Sequence, residues 1–529
     1  ALVLTQLWPW QSVELPSPLG AILGLLYMAL NIYGSLFQRA VGVLFDCLRA
    51  VVRGPAPDIP AAGAASTTAP TWEELDLALK DSLSARAFAL QPGLFNPSRA
   101  DLRLFDAATE DAVRVVFWRD SASWCPYCMK TQLFLEECRI PYRVEWVNMS
   151  CYGDKPARFL QLNPAGLLPL AEIDGEVVRD SDRIISCIRQ LPEAGRGGLM
   201  PDSTQSGRDE ELRLVRLAYD LQAAWLAWLR SPVNDGACRQ AMEARLDELE
   251  ASLARSEADG PFARGRFSVV ECHLAPILER AAASLAYFKG FIFRQRVESL
   301  QPEEPTRAVA ATRWPHIQQW FAAMERRPSF RSLSGDFYTH AHDLPPQLGA
   351  CARNGQGEQC EAHVDGLPGS GAWLLPLPNV DPLEPMPAGA FAAAPSDHAA
   401  RLEAAEALVE RRDAVLAFAL RATGRPGLPP VRAALADPRA APGDAPGDLF
   451  YVDVVLRHVV ARLLHGGGAP VMRDDLSPVL YAGGAGAVER WQECLRYLQQ
   501  RIGVPRDMSA AAARQLRAHL GSVCHALHS

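Results

Sequence analysis

The sequence has no surplus of positive charge. Lys and Arg together number 53 against 61 Asp and Glu, a formal net charge of -8. A nucleic-acid binder neutralises phosphates with a concentrated basic surface, so this balance argues against that class. No acidic concentration points the other way. Cysteine has no regular spacing: 12 residues fall irregularly in a chain of 529, unlike the disulfide framework of a small secreted domain, and a reducing compartment fits better. There is one CxxC and no second pair, so a two-pair zinc site lacks half its ligands. Lysine is scarce beside arginine and alanine is abundant, a compositional bias that leaves tracts such as "AAGAAS" without weight.

An uninterrupted membrane-length apolar run is also missing. Residues 15–38, "LPSPLGAILGLLYMALNIYGSLFQ", carry no charge and are nominally long enough to cross a bilayer. Pro16, Pro18, Asn31 and Gly34 interrupt them. A span, a helix docked on a membrane and the remains of a targeting region all fit. The chain starts at Ala1 rather than methionine, so its start reads as processed or incomplete.

What the chain does have is material for two or three cores, with 49% hydrophobic residues. Residues 1–70 read as a hydrophobic N-terminal segment closed by the Pro/Ala/Gly linker 54–70. Residues 71–191 form the next unit. A strand "RVVFW" from Arg114 meets a cysteine loop and then a helix that turns Met129, Leu133 and Phe134 to a core. "YRVEWV" alternates as a strand, a short helix follows at about 156–162, and two strands flank the tight-turn signal Asp174-Gly175 before a helix from Ser181. The order βαβαββα is that of the thioredoxin-like α/β fold. Residues 209–343 show only helical spacing, and Ser268 with Glu271 forms a capping box beside Phe267. Residues 344–396 are Pro-rich and loop-like, and 397–529 read as a helical extension without a chemical motif.

The chemistry sits in "SASWCPYCMK". A CxxC between first strand and first helix exposes Cys125 to unpaired backbone N–H groups and the positive end of the helix dipole, which favours the nucleophilic thiolate. Cys128, one turn inside, is the more buried, resolving thiol. The competing readings are a metal half-site and a buried pair. Cys351, Cys360, His340, His342 and His363 offer a weaker metal cluster on a loop, with a solvated loop as the alternative. Cys138, Cys151, Cys187, Cys272 and Cys494 read as buried apolar residues. Trp124 either shields the thiol or packs on the domain, and Trp225 and Trp228 either fill the helical region or line an acceptor pocket.

A thioredoxin-like unit followed by an all-helical one with a capping box resembles the glutathione S-transferases. "NPAGLLPLAEIDGEVVRDSDRI" and "GPFARGRFSVVECHLAPILER" carry the likeness. Cysteine at the start of the first helix makes the omega and lambda classes most similar. "WCPYC", "CYGDK", "YFKG" and "THAHDLPPQLG" resemble a plant and algal chloroplast group with a long C-terminal extension. The resemblance implies Cys125 as nucleophile with Cys128 beside it. It implies Pro169 as a cis-proline, with Leu168 offering its backbone to glutathione, and Asp180 and Ser181 as holders of the γ-glutamyl end. Lys155 would meet the glycyl carboxylate.

By the same likeness the protein is an enzyme with glutathione as cosubstrate, no metal and no nucleic acid, and a small-molecule or protein thiol or disulfide as acceptor. A plastid location and a homodimer, usual in the family, are implied as well. The expected activity is glutathione-dependent thiol transfer or reduction, including deglutathionylation or dehydroascorbate reduction. Glutathione conjugation and a non-catalytic scaffold are the alternatives.

Overall fold

The structure is a computed structural model describing residues 69–87, 99–197, 199–200, 203–294, 313–378, 381, 383–384, 397–428, 433–445, 447–466, 476 and 485–528. The membrane-length stretch 15–38 lies outside the described residues. Among the described residues, no helix is long and apolar enough to cross a membrane.

Helix α1 (Trp72–Ala87) and the two-residue strand β1 (Leu102–Arg103) precede the sheet proper. The β-branched and aromatic runs predicted to be strands form β2 (Val115–Asp120) and β3 (Tyr142–Val147), joined through helix α2 (Pro126–Cys138). Helix α3 (Ala157–Leu162), the hairpin β4 (Leu170–Ile173) and β5 (Glu176–Arg179), and helix α4 (Ser181–Ile188) complete the unit. Asp174 and Gly175 turn the hairpin with φ of 50° and 84°, the left-handed pair that a tight two-residue turn requires. The strand order is β1-β3-β2-β4-β5, with β2 parallel to β3 and antiparallel to β4. This is the expected thioredoxin-like α/β arrangement, with β1 added at one edge. Two residues carry no alternation, so β1 left no mark in the sequence pattern.

The helical region consists of α5 (Gln205–Arg230), α6 (Asp235–Ser256), α7 (Val269–Lys289), α8 (Pro315–Glu325), α9 (Pro328–Arg331) and α10 (Phe337–Leu348). Helix α7 is buried from end to end. The predicted capping box starts it: Ser268 Oγ accepts from Val270 N–H at 3.2 Å, while Glu271 Oε2 accepts from Ser268 N–H at 2.7 Å. One apolar core runs from the sheet, through Phe117, Met129, Leu133 and Phe134, into α5 and α7.

The segment read as Pro-rich loop holds helix α11 (Glu358–Val364). The extension contains α12 (Asp397–Glu410), α13 (Arg412–Ala419), α14 (Asp448–His465), α15 (Ala485–Gln499) and α16 (Ala510–His528), and these build a second core. Helix α1 joins that second core rather than the thioredoxin-like unit to which its position, after residue 71, had assigned it. Leu75 and Leu79, four residues apart on one face, need an apolar surface. The second core supplies one, and both side chains are buried in it. The α1 helix packs on α12 and α14. Trp72 Nε1–H donates to Asp453 at 2.6 Å, and Arg457 reaches Pro70 C=O at 2.8 Å.

Replacing Ser268 with Ala removes the cap that starts α7 and is expected to lower stability by about 1 kcal/mol. A shifted urea midpoint with unchanged slope checks it.

Candidate active site

Strand register gathers the predicted site residues at one end of the sheet. Trp118 pairs with Leu170, and Leu170 with Arg179. The loop leaving β2 carries Cys125, the approach to β4 carries Leu168 and Pro169, and the exit from β5 carries Asp180 and Ser181. These three loops are therefore neighbours although up to 56 residues separate them in sequence.

Cys125 is the N-cap of α2, with Pro126 in the first turn, where a missing N–H costs nothing. Cys125 is 6% exposed, whereas Cys128 is fully buried. The two sulfurs lie within 4.8 Å of one another. Hydrogen bonding from Cys128 holds the Cys125 thiol below the ordinary cysteine range, against burial and the nearby charge of Asp120. Burial, followed by the same hydrogen bonding, pushes the Cys128 thiol well above that range. The two thiols are thus shifted in opposite directions, Cys125 down and Cys128 up. The dipole argument from sequence gave the right direction; the leading cause is the neighbouring thiol.

Asp120, at the end of β2, was not singled out by the sequence. Its carboxylate and both sulfurs lie within 4.8 Å of one another, and all three residues are buried. This is the group of metal-ligating geometry found among the described residues. Arg119, itself buried, pairs with Asp120 at 3.2 Å and also reaches Gln132. A buried carboxylate needs such a partner. Trp124 is fixed at each polar atom: N–H to Asp120 at 2.5 Å, C=O from Arg280 at 3.0 Å, and Nε1–H to Val504 C=O at 3.0 Å. It is fully buried and packs in the first core.

Around the thiol stand the residues expected to hold a ligand. The Leu168–Pro169 bond is cis. Ser181 is the buried first residue of α4, and Asp180 caps that helix, its Oδ1 accepting from Asp182 N–H at 3.0 Å and Arg183 N–H at 3.1 Å. The ordinary cap is therefore present, and Oδ2 carries no hydrogen bond among the described residues. Lys155 is half-buried, and burial holds its ammonium below the ordinary lysine range, against the pull of Cys125 and Cys128.

Below Ser181, Asp182 receives Lys130 at 2.5 Å, His273 Nε2 at 2.9 Å and the Tyr219 hydroxyl. Burial would raise this carboxyl, but the His273 hydrogen bond and the charges of His273 and Lys130 hold it well below the usual carboxylate range. Pro126, Tyr127, Gln222 and Ile277 line a shallow groove over this cluster, and Gln222 Nε2 donates to Tyr127 hydroxyl at 2.9 Å. Sequence reasoning missed the cluster because its members come from α2, α4, α5 and α7.

The weaker metal cluster does not assemble. His340 faces Glu279 at 3.2 Å, His342 faces Asp365 at 2.7 Å and His363 faces Asp381 at 2.9 Å, while Cys351 and Cys360 are half-buried against the first core. Trp225 and Trp228 pack inside the helical region, donating to Ser284 at 2.8 Å and Asp235 at 2.6 Å. Cys138, Cys272 and Cys494 are buried as expected; Cys151 and Cys187 are only half-buried.

Residues 124–191 match the family model "Glutathione S-transferase, N-terminal domain" and residues 214–305 match "Glutathione S-transferase, C-terminal domain". Among curated relatives, the probable glutathione S-transferase DHAR4 of Arabidopsis thaliana is 31% identical over 171 residues, covering 31% of this chain and 70% of that protein. Glutathione S-transferase DHAR2 of the same plant is 28% identical, covering 34% of this chain and 76% of that protein. The chloroplastic DHAR3 is 26% identical over 32% of this chain and 58% of its own length.

Iodoacetamide is expected to alkylate Cys125 before Cys128, with a pH midpoint below that of a free cysteine, since a lowered thiol ionises earlier as pH rises. Cys128→Ala removes the S–H donor and should move that midpoint upward, as read by peptide mass spectrometry.

Proposed function

Because this chain belongs to the glutathione S-transferase superfamily, we propose that it is a glutathione-dependent thiol transferase or reductase whose nucleophile is Cys125. The reading is carried by one observation: the Cys125 sulfur sits at a helix start within 4.8 Å of the sulfur of a buried Cys128. Transferases that place serine or tyrosine there stabilise the thiolate of glutathione itself. Here the protein supplies its own sulfur.

The Cys125 thiolate attacks the glutathionyl sulfur of a mixed disulfide. A new S–S bond joins Cys125 to glutathione, the old S–S bond breaks, and the acceptor leaves as a thiolate that takes a proton. Two routes complete the cycle. A second glutathione thiolate attacks the glutathionyl sulfur, releasing oxidised glutathione and the Cys125 thiolate. Alternatively, Cys128 loses its proton and attacks Cys125, releasing glutathione thiolate and leaving an internal disulfide that further glutathione reduces.

The cradle follows from the chemistry of the tripeptide. The peptide edge of Leu168 before Pro169 suits the cysteinyl backbone. Ser181, with the first N–H groups of α4, suits the γ-glutamyl carboxylate, and the free oxygen of Asp180 suits its ammonium. The Lys155 ammonium suits the glycyl carboxylate; among the described residues it meets no protein anion. The acceptor is a small-molecule or protein disulfide, or an oxidant such as dehydroascorbate. A plastid location belongs to the same proposal, supported by the chloroplastic name of one relative.

Cys125→Ser is expected to abolish reduction of a glutathione mixed disulfide, while Cys128→Ser only slows it; full activity in Cys125→Ser would refute the assignment. Lys155→Met should raise the KM for glutathione roughly fivefold, the value of an ion pair worth about 1 kcal/mol, with kcat little changed. Steady-state kinetics over a glutathione series separates the two.

A further inference from the structure

The residue before the nucleophile is held by three separate parts of the chain: the end of β2 through Asp120, helix α7 through Arg280, and the C-terminal extension through Val504. The third hold is the most extensive. Gly503 packs so closely on the Trp124 ring that a methyl group on its Cα would lie 2.4 Å from Cζ2 of the indole. The Arg506 guanidinium stands 4.9 Å from the ring centroid. Tyr152 meets the same indole at 5.0 Å, with its hydroxyl donating to the buried Asp343 at 2.8 Å.

The segment that makes these contacts is pinned on all sides. Val504 N–H donates to Thr339 Oγ1 at 2.9 Å, and Gly503 N–H to Asp507 at 2.7 Å. Arg506 donates to Leu435 C=O at 3.0 Å, and Arg517 donates to Ile502 C=O at 2.8 Å while pairing with the buried Asp336 at 2.5 Å. Tyr338 hydroxyl donates to Gln500 C=O at 2.7 Å. Ile502, Val504 and Met508 belong to the extension's own core. Trp124 therefore leans on a built element that is anchored in both cores.

We propose that the C-terminal extension is a working part of the active site, in which Gly503, Val504 and Arg506 position Cys125 by holding Trp124. The proposal rests on the reading of Cys125 as nucleophile. Its physical basis is the short link between the two residues. The Cys125 sulfur stays within 4.8 Å of the Cys128 sulfur and the Asp120 carboxylate only if its backbone stays in place, and that backbone continues directly from Trp124. A displacement of about 1 Å at a reacting atom costs on the order of a hundredfold in rate. A buried indole N–H stripped of its acceptor is also pressed to move toward another partner. These are positioning residues, acting on the sulfur through Trp124.

The test uses the full chain carrying Gly503→Ala, Arg506→Met or Trp124→Phe. The first adds one methyl against the indole, the second removes the guanidinium, and the third removes only the N–H and part of the ring. The readouts are the pH profile of Cys125 carbamidomethylation, followed by peptide mass spectrometry, and the kcat and KM for glutathione. All three variants should raise the alkylation midpoint and lower kcat about tenfold or more, with the KM for glutathione nearly unchanged. Leu75→Ala, in the extension's core but away from Trp124, lowers stability and should leave the midpoint where it was.

A wild-type midpoint and kcat in folded Gly503→Ala and Arg506→Met proteins would overturn the proposal, as would an equal shift in Leu75→Ala. Failure of the nucleophile reading is seen separately, as activity surviving in Cys125→Ser. Should Gly503→Ala not fold, Arg506→Met and Trp124→Phe still decide the question.

Discussion

The close approach of two sulfurs at the first turn of α2, within 4.8 Å of one another, is the contact on which the rest of the site depends. It couples two thiols so that stabilising charge on one destabilises it on the other, which is why Cys125 falls and Cys128 rises from the same starting chemistry. Neither burial nor helix position alone gives that split. Burial raises both thiols, and only the donor groups converging on Cys125 reverse its direction.

Around this contact the protein has buried an unusual amount of charge. Asp120, Arg119, Glu279 and Arg280 are all nearly inaccessible; Asp120 and Arg280 bond to Trp124 in the loop that carries the cysteines, and Arg119 and Glu279 pair with them. Arg280 links Glu279, the Met129 sulfur and Trp124 C=O. Removing one partner from such a network leaves an uncompensated charge in a low-dielectric interior, a loss of several kcal/mol. The network therefore holds the loop in one geometry through the cost of leaving it, while contributing little to net stability.

The fold was legible where periodicity and local chemistry agree. The alternation of "YRVEWV", the Asp174-Gly175 turn and the Ser268–Glu271 box are local signals, and the structure follows them to within a residue or two. At the site, the CxxC could be read because its position between strand and helix carries the meaning. Asp120 could have been found as the one acidic residue at the end of that strand, but nothing in the sequence says it turns inward. Asp182, His273, Lys130 and Tyr219 come together only after four helices have packed. The assignment of α1 failed for a related reason: Leu75 and Leu79 announce a buried face without naming what covers it, and proximity along the chain was a poor guide to the partner.

The second core has a consequence for how the enzyme comes into being. Helix α1 is made well before α16, yet they share one apolar interior. Residues 502–507 are made long after the sheet, the dithiol and the central helices that precede them in the chain. Until they are made, the indole beside Cys125 lacks their support, so the dithiol loop acquires its full setting later than the sheet that carries it.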